Sequence, residues 1–267
     1  MHIYRFMHNQ QVFYGLMDSP RADRAAVLAG DPFTGLERTG EIIAVERLLP
    51  PVTPPNILCL GLNYRKHADE TGTTYPRDPV MFIKSTNALT GYGRPIVLPK
   101  AGPDEVDYEV ELALVIGQEG KNIPEARALE YVLGYTCAND VSARDWQKRR
   151  QKKQWARGKS FDTFCPVGPC LVTRDSIPDP NNLALETRVN NEVLQKSNTR
   201  DMIFPVRRII SLLSQSFTLL PGTLILTGTP EGVGFTRTPP RFLQAGDVVT
   251  VAVQGIGELT NPVVRET

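Results

Sequence analysis

The stretch DYEVELALVIG, residues 107–117, constrains the fold of this chain more than any other. An extended segment alternates its side chains between two faces, so Tyr108, Val110, Leu112, Leu114 and Ile116 share one face while Asp107, Glu109 and Glu111 share the other. The carboxylate face continues into Ala113 and Val115, so one side of the strand runs from charged to apolar along its own length. Such a strand enters a core with charge at its mouth, and that charge requires a partner. Neighbouring same-face residues lie about 6.6 Å apart at Cα, two rises of about 3.3 Å, which lets Glu109 and Glu111 converge on one cation. A third carboxylate, Asp140, ends the apolar run VLGYTCAND. Oxygen-only ligands suit magnesium, manganese or calcium and not zinc. A solvent-facing strand with ordinary ion pairs is the competing reading of the same spacing.

The rest of the chain has the means to bury such a strand. Of 267 residues, 41% are hydrophobic, enough for one large domain or one with a small appendage. Thirty basic residues oppose twenty-nine acidic ones, and a formal charge of +1 exerts no global pull toward nucleic acid or membrane surfaces. The start, MHIYRFMHNQQVFYG, lacks the apolar core of a signal peptide, and no stretch approaches the roughly 18 apolar residues of a membrane span. A cytoplasmic protein is the expectation. Cys59, Cys137, Cys165 and Cys170 are too few and too scattered for a disulfide framework. No CxxC pair or nearby histidine completes a zinc set, so buried reduced thiols are expected.

LLPPVTPPN, residues 48–56, carries four prolines and continues neither a helix nor an interior strand. It divides a small β-rich N-terminal domain with its linker, 1–55, from a main body, 56–267. In that body ILCLGLNY, VMFIKS, RPIVLP, VLGYTCAND, GTLILTGT and DVVTVAVQG read as strands, and LETRVNNEVLQ as a hairpin turning at Asn190 and Asn191. RKHADE reads as a helical turn, PEARALEY as a short helix, and SARDWQKRRQ as a helix capped by Ser142. In FPVRRIISLLSQSF, Val206, Ile209, Ile210, Leu213 and Phe217 share one face, with Pro205 suited to the first turn. The pattern predicts a strand-rich α+β fold.

Of three histidines, only His67 belongs to the main body, and Glu70 three residues on shares its helical face. A carboxylate so placed orients an imidazole and raises its basicity, as a general base requires; a surface His–Glu pair is the bland alternative. KRRQKKQWAR, residues 148–157, holds six positive charges and Trp155. With no nucleic-acid motif around it, the run reads as a solvated helix end or mobile flap. TGTPEGVG, residues 227–234, lacks the Lys-Ser/Thr of a phosphate loop and the GxGxxG of a dinucleotide site. It reads as a tight turn whose backbone N–H groups face a ligand oxygen.

Taken in order, these stretches resemble the fumarylacetoacetate hydrolase family. The resemblance runs from about residue 50 to the end and rests on GLNYRKHADE, FIKSTNAL, DYEVELALVIG, ANDVSARDWQ, GKSFDTFCPVGP and LILTGTPEGVG. DVSARDWQ, then QW, then GKSFDTFCPVGP is similar to the family's branch called fumarylacetoacetate hydrolase domain-containing protein 2. The resemblance implies a mixed β-roll with peripheral short helices, a homodimer, and a divalent metal, magnesium, calcium or manganese, on Glu109, Glu111 and Asp140. It implies His67 and Glu70 as a water-activating pair, Lys159 beside the bound substrate, and Arg144, Gln147, Thr229 and Lys84 as substrate contacts. The implied activity is metal-dependent hydrolysis of a carbon–carbon bond in acylpyruvates and related 1,3-dicarbonyl 2-oxo acids, through an enolate whose charge the cation offsets. The same enolate serves oxaloacetate keto–enol tautomerisation and oxaloacetate-type decarboxylation, and the metal site alone does not choose among them. A metal-stabilised binding module without catalysis is the remote alternative. The expected partners are a small 2-oxo acid and a second copy of the chain, not nucleic acid or membrane.

Overall fold

The strand Val110–Ile116 is buried at every residue, and the fold is arranged to cover both of its faces. In the computed structural model, which describes all 267 residues, it pairs antiparallel with Val132–Asn139 on one side and Leu224–Leu226 on the other. The sheet continues outward from Val132–Asn139 to Cys165–Thr173, and from Leu224–Leu226 to Ile57–Gly61 and the edge strand Val80–Lys84. Leu224–Leu226 and Ile57–Gly61 run parallel, so the sheet is mixed. A second, five-stranded sheet has the order Glu192–Asn198, Ala184–Val189, Val248–Val253, Gly257–Arg265, Ile96–Leu98. It packs across Val110–Ile116, Val132–Asn139 and Cys165–Thr173. Burial from two sides is why the central strands are apolar at consecutive positions, and each fully buried Leu or Ile contributes about 1.5–3 kcal/mol.

At the other end, His2–His8, Gln11–Leu16, Arg24–Asp31 and Gly35–Ala44 form an antiparallel meander. Its first strand meets Cys165–Thr173 through His2↔Val172 and Ile3↔Leu171. Ile3, Phe6 and Leu28 belong to the same 60-residue buried cluster as Leu114 and Val251, so core contact crosses from these strands into the rest of the molecule. The proline-rich segment is not free either: Arg47–Leu49 pairs back onto His2–His8 and Val52 is buried.

Several local expectations are met. The α-helix Val206–Ser216 buries Val206, Ile209, Ile210 and Leu213, while Pro205 stands just before it as the N-cap and Phe217, expected on the same face, lies just past its end in an extended, half-buried conformation. Asn190 and Asn191 both adopt positive φ, 51° and 70°, at the hairpin turn between Ala184–Val189 and Glu192–Asn198. All four cysteines are buried and free.

Two expectations are corrected. Residues 107–117 are not one strand: Val106–Asp107 pairs with Ser142–Ala143, and regular pairing resumes only at Val110. The Asp107 carboxylate accepts from its neighbour Tyr108 N–H, which draws the backbone out of the ladder. Ser142 caps no helix, because its backbone is in that short strand and its hydroxyl donates to Asp140 O at 2.8 Å. The turn that follows, Trp146–Arg150, is π-helical and is capped by Asp145, which accepts from Trp146 N–H at 2.8 Å.

Candidate active site and metal centre

Strand register assembles the carboxylates. Val110 lies opposite Asn139, so Glu109 falls opposite Asp140, and Asp140 N–H donates to Glu109 O at 2.9 Å. Glu111, two residues on, returns to the same face. Carboxylate oxygens of Glu109, Glu111 and Asp140 lie within 4.8 Å of one another, and all three residues are buried. The three acids that sequence spacing singled out are therefore brought together.

Buried anions need compensation. Lys159 Nζ bridges Glu109 Oε2 at 2.8 Å and Asp140 Oδ2 at 2.6 Å. Arg144 reaches Asp107 Oδ2 at 2.8 Å and Glu109 Oε1 at 2.7 Å. Lys84 pairs with Asp140 Oδ1 and donates to Val141 O at 3.1 Å. Four buried carboxylates thus face three buried cations, and Glu111 is the one without an ion pair. Its Oε2 accepts from Gly228 N–H at 2.6 Å, while its buried Oε1 has no partner. The electrostatics follow. Burial alone pushes the Glu109 carboxyl up, but Lys159 and Arg144 beside it hold it well below the usual carboxylate range. Burial, with the charges of Asp140 and Glu109 added, drives Glu111 well above that range. Burial disfavours charge on Lys159, yet Asp140 and Glu109 raise it above its ordinary value. An orphaned buried oxygen among hard carboxylate donors fits a divalent cation such as magnesium.

The helical turn Arg65–Glu70 forms where RKHADE places it, and buries His67. His67 Nδ1 lies 2.9 Å from Glu70 Oε1. Glu70 is held in turn by Gly232 N–H at 3.0 Å. His67, Glu109, Arg144, Gln147, Lys159 and Thr229 line one cavity of about 180 Å³, whose apolar wall includes Leu60, Phe82 and Trp155. Gly61 is required in that wall, since a Cβ there would fall inside the Trp155 ring's van der Waals envelope. Gln147 Oε1 accepts from Arg144 Nη1 at 2.9 Å, leaving its amide N–H groups free for a ligand.

Four expectations are revised. Lys84 does not line the cavity: its side chain is 0% exposed and its ammonium is spent on Asp140 and Val141. It neutralises the cluster rather than touching substrate. Thr229 lines the cavity, but its hydroxyl proton goes to Val110 O at 3.0 Å, so that hydroxyl meets a ligand only as an acceptor. In the 227–234 turn three N–H groups serve protein carboxylates, Gly228 to Glu111, Gly232 to Glu70 and Gly234 to Asp107, while the Thr229 N–H on the cavity wall has no protein acceptor. Nor is 148–157 a free flap, because Trp155 packs edge-on against Phe82 with ring centroids 5.5 Å apart.

Sequence reasoning missed Gln195 and the anchoring role of Asp107. Gln195 accepts from Val110 N–H at 3.0 Å and donates to Thr229 Oγ1 at 3.0 Å, lashing the turn to the carboxylate strand. Nothing in the hairpin LETRVNNEVLQ marks it. Asp107 had a usable signal, being an acid at the edge of an apolar strand with Arg144 two residues beyond Ser142.

The family description "Fumarylacetoacetate (FAA) hydrolase C-terminal" matches residues 56–264, and "Rv2993c-like, N-terminal" matches residues 1–51. "Oxaloacetate tautomerase fahd2, mitochondrial" of Xenopus laevis is 50% identical over 218 residues, 81% of this chain and 68% of that one. The fumarylacetoacetate hydrolase domain-containing protein 2 homolog of Dictyostelium discoideum is 47% identical over 226 residues, covering 81% and 74%. Among solved structures, 5-carboxymethyl-2-hydroxymuconate delta-isomerase from Mycobacterium smegmatis superposes with a TM-score of 0.86 at 42% identity, over 100% of both chains. The Xenopus relative is named mitochondrial, unlike the cytoplasmic expectation for this chain; no helix here is long and apolar enough to cross a membrane. The strand-rich mixed fold, the ordered motifs and these matches agree: the chain belongs to the fumarylacetoacetate hydrolase family, a family of enzymes, and its relatives at about half identity include proteins of the domain-containing protein 2 branch.

Proposed function

We propose that the site catalyses keto–enol tautomerisation of a 2-oxo dicarboxylic acid of the oxaloacetate type, with a divalent cation, magnesium by its oxygen-only donor set, held by Glu109, Glu111 and Asp140. One observation carries the reading: a glutamate-backed imidazole, Lys159 and the Glu109 edge of the acidic cluster open into a single small cavity. The name of the Xenopus relative supports this choice of reaction over hydrolysis, which the motifs had put first. When bound, the cation supplies Lewis-acid stabilisation of negative charge on adjacent substrate oxygens.

The chain's own residues move the proton. With Nδ1–H donated to Glu70, His67 Nε2 is the basic nitrogen. It takes a proton from the carbon beside the keto group and passes it to the enolate oxygen, completing the enol, and runs the same transfer backward in the reverse direction, while Glu70 stabilises the imidazolium in between. Lys159 has spent two N–H groups on Glu109 and Asp140, and its third is available to an oxyanion. Gln147 orients the substrate through its free amide. Hydrolysis of acylpyruvates is the second reading, favoured by the same Nε2, which would deprotonate water instead.

Incubating the magnesium-loaded protein with enol-oxaloacetate and with acylpyruvates separates these reactions. Loss of enol absorbance without pyruvate is expected. Pyruvate from acylpyruvates assigns hydrolysis, pyruvate with carbon dioxide from oxaloacetate assigns decarboxylation, and no magnesium-dependent turnover of any substrate points to a binding module. A homodimer belongs to the same proposal, tested by a sedimentation mass near twice 29.6 kDa.

A further inference from the structure

Three cationic side chains of lysine or arginine line the cavity: Arg144, Lys148 and Lys159. Arg144 is committed to Asp107 and Glu109, and Lys159 to Glu109 and Asp140. Lys148 has no carboxylate partner. Its Nζ sits 3.1 Å from the centroid of the Phe235 ring, a contact that holds the ammonium in place without neutralising it. Its neighbours in the basic run are engaged elsewhere, Arg149 with Glu105 and Arg150 with Asp145. Partial burial and the Arg144 charge beside it press Lys148 down to about 8, so an arriving anion would relieve it.

A 2-oxo dicarboxylate brings two carboxylates. The one beside the keto group would sit with the cation that Glu109, Glu111 and Asp140 would hold, and the distal one must find a positive charge not already spent. We propose that Lys148, stacked on Phe235 at the cavity rim, binds this distal carboxylate and makes the site selective for 2-oxo dicarboxylates over monocarboxylates of the same length. The assignment rests on the tautomerase reading for the class of substrate, but its test does not depend on turnover.

Binding of oxaloacetate and of 2-oxobutyrate, which carries a methyl group in place of the distal carboxylate, is measured by calorimetry on the magnesium-loaded full chain. The wild type is expected to bind oxaloacetate about tenfold more tightly, the scale of one hydrogen bond to a charged group. Lys148→Met keeps the contact with the Phe235 ring. It should bind the two acids within about twofold, with 2-oxobutyrate affinity and melting temperature unchanged, and Lys148→Arg should restore the preference. A wild type that shows no preference or binds neither acid overturns the proposal, as does a Lys148→Met variant that loses both affinities equally or neither. Failure of the tautomerase reading looks different: both acids bind with the expected preference, yet enol decay is not accelerated.

Discussion

Glu111 is where the buried charges fail to balance. Metal-free, its carboxyl titrates above the unfolded value because of burial and the Asp140 and Glu109 charges. Between those two values the folded chain keeps a proton that the unfolded chain has lost, so this group costs stability as pH rises above about 4.3. Glu109 has the opposite sign: Lys159 and Arg144 overcome its burial and depress it, so its contribution is present above the unfolded value and lost as pH falls toward the folded one. Glu111→Gln keeps the acceptor for Gly228 N–H and removes the charge. In chelator at pH 7.5 it should melt above wild type, by about 2–4 °C for each kcal/mol recovered, with the gap closing toward pH 4.3. In magnesium the order should reverse, because only wild type gains stability from the ion; melts with and without chelator check both. His67→Asn should retain that magnesium-induced rise while enol-oxaloacetate turnover falls about 10²- to 10⁴-fold, the span of general acid–base catalysis. Wild-type turnover in that variant would remove His67 from the mechanism.

At the scale of elements, the 227–234 turn is the part that joins the site. Three of its glycine N–H groups reach Glu111, Glu70 and Asp107, which lie on the carboxylate strand, the His67 helix and the short strand before Tyr108. Gly228 and Gly232 both need positive φ, 96° and 93°. A Cβ at Gly228 would stand 2.8 Å from Asn63 Cβ, and one at Gly232 would fall against Leu194 O. Alanine at either should cost about 1–3 kcal/mol in chemical denaturation. Their functional defects should differ: the strained backbone of Gly228→Ala shifts its N–H away from Glu111 and weakens magnesium binding, whereas that of Gly232→Ala shifts its N–H away from Glu70, lowering turnover with magnesium affinity kept. Metal titration alongside enol decay distinguishes the two.

For the whole molecule, the central strand lies inside the larger sheet with the five-stranded sheet packed across it, and the N-terminal meander extends that larger sheet. Removing residues 1–51 would strip the partner from Cys165–Thr173 at Val172 and Leu171 and uncover core contacts of Ile3 and Phe6. The 52–267 chain is expected to melt well below the full chain or to aggregate through the bared edge; light scattering and a thermal melt report which. An unchanged melting temperature would make the N-terminal strands an independent unit.

Sequence by itself determined what depends on short chain separation and a fixed period. Two-residue alternation put Glu109 and Glu111 on one face, the i, i+3 step put Glu70 behind His67, and apolar spacing marked the face of Val206–Ser216. Tertiary structure alone decided which charges answer which. Asp107 goes to Arg144 and Gly234, Lys84 to Asp140, Gln195 to Thr229, and Lys148 to the cavity rim without a carboxylate partner. Apart from Lys148, these are contacts between residues tens to more than a hundred positions apart, and no local propensity encodes them. They follow from where the packed sheets leave buried polar groups that must be paired.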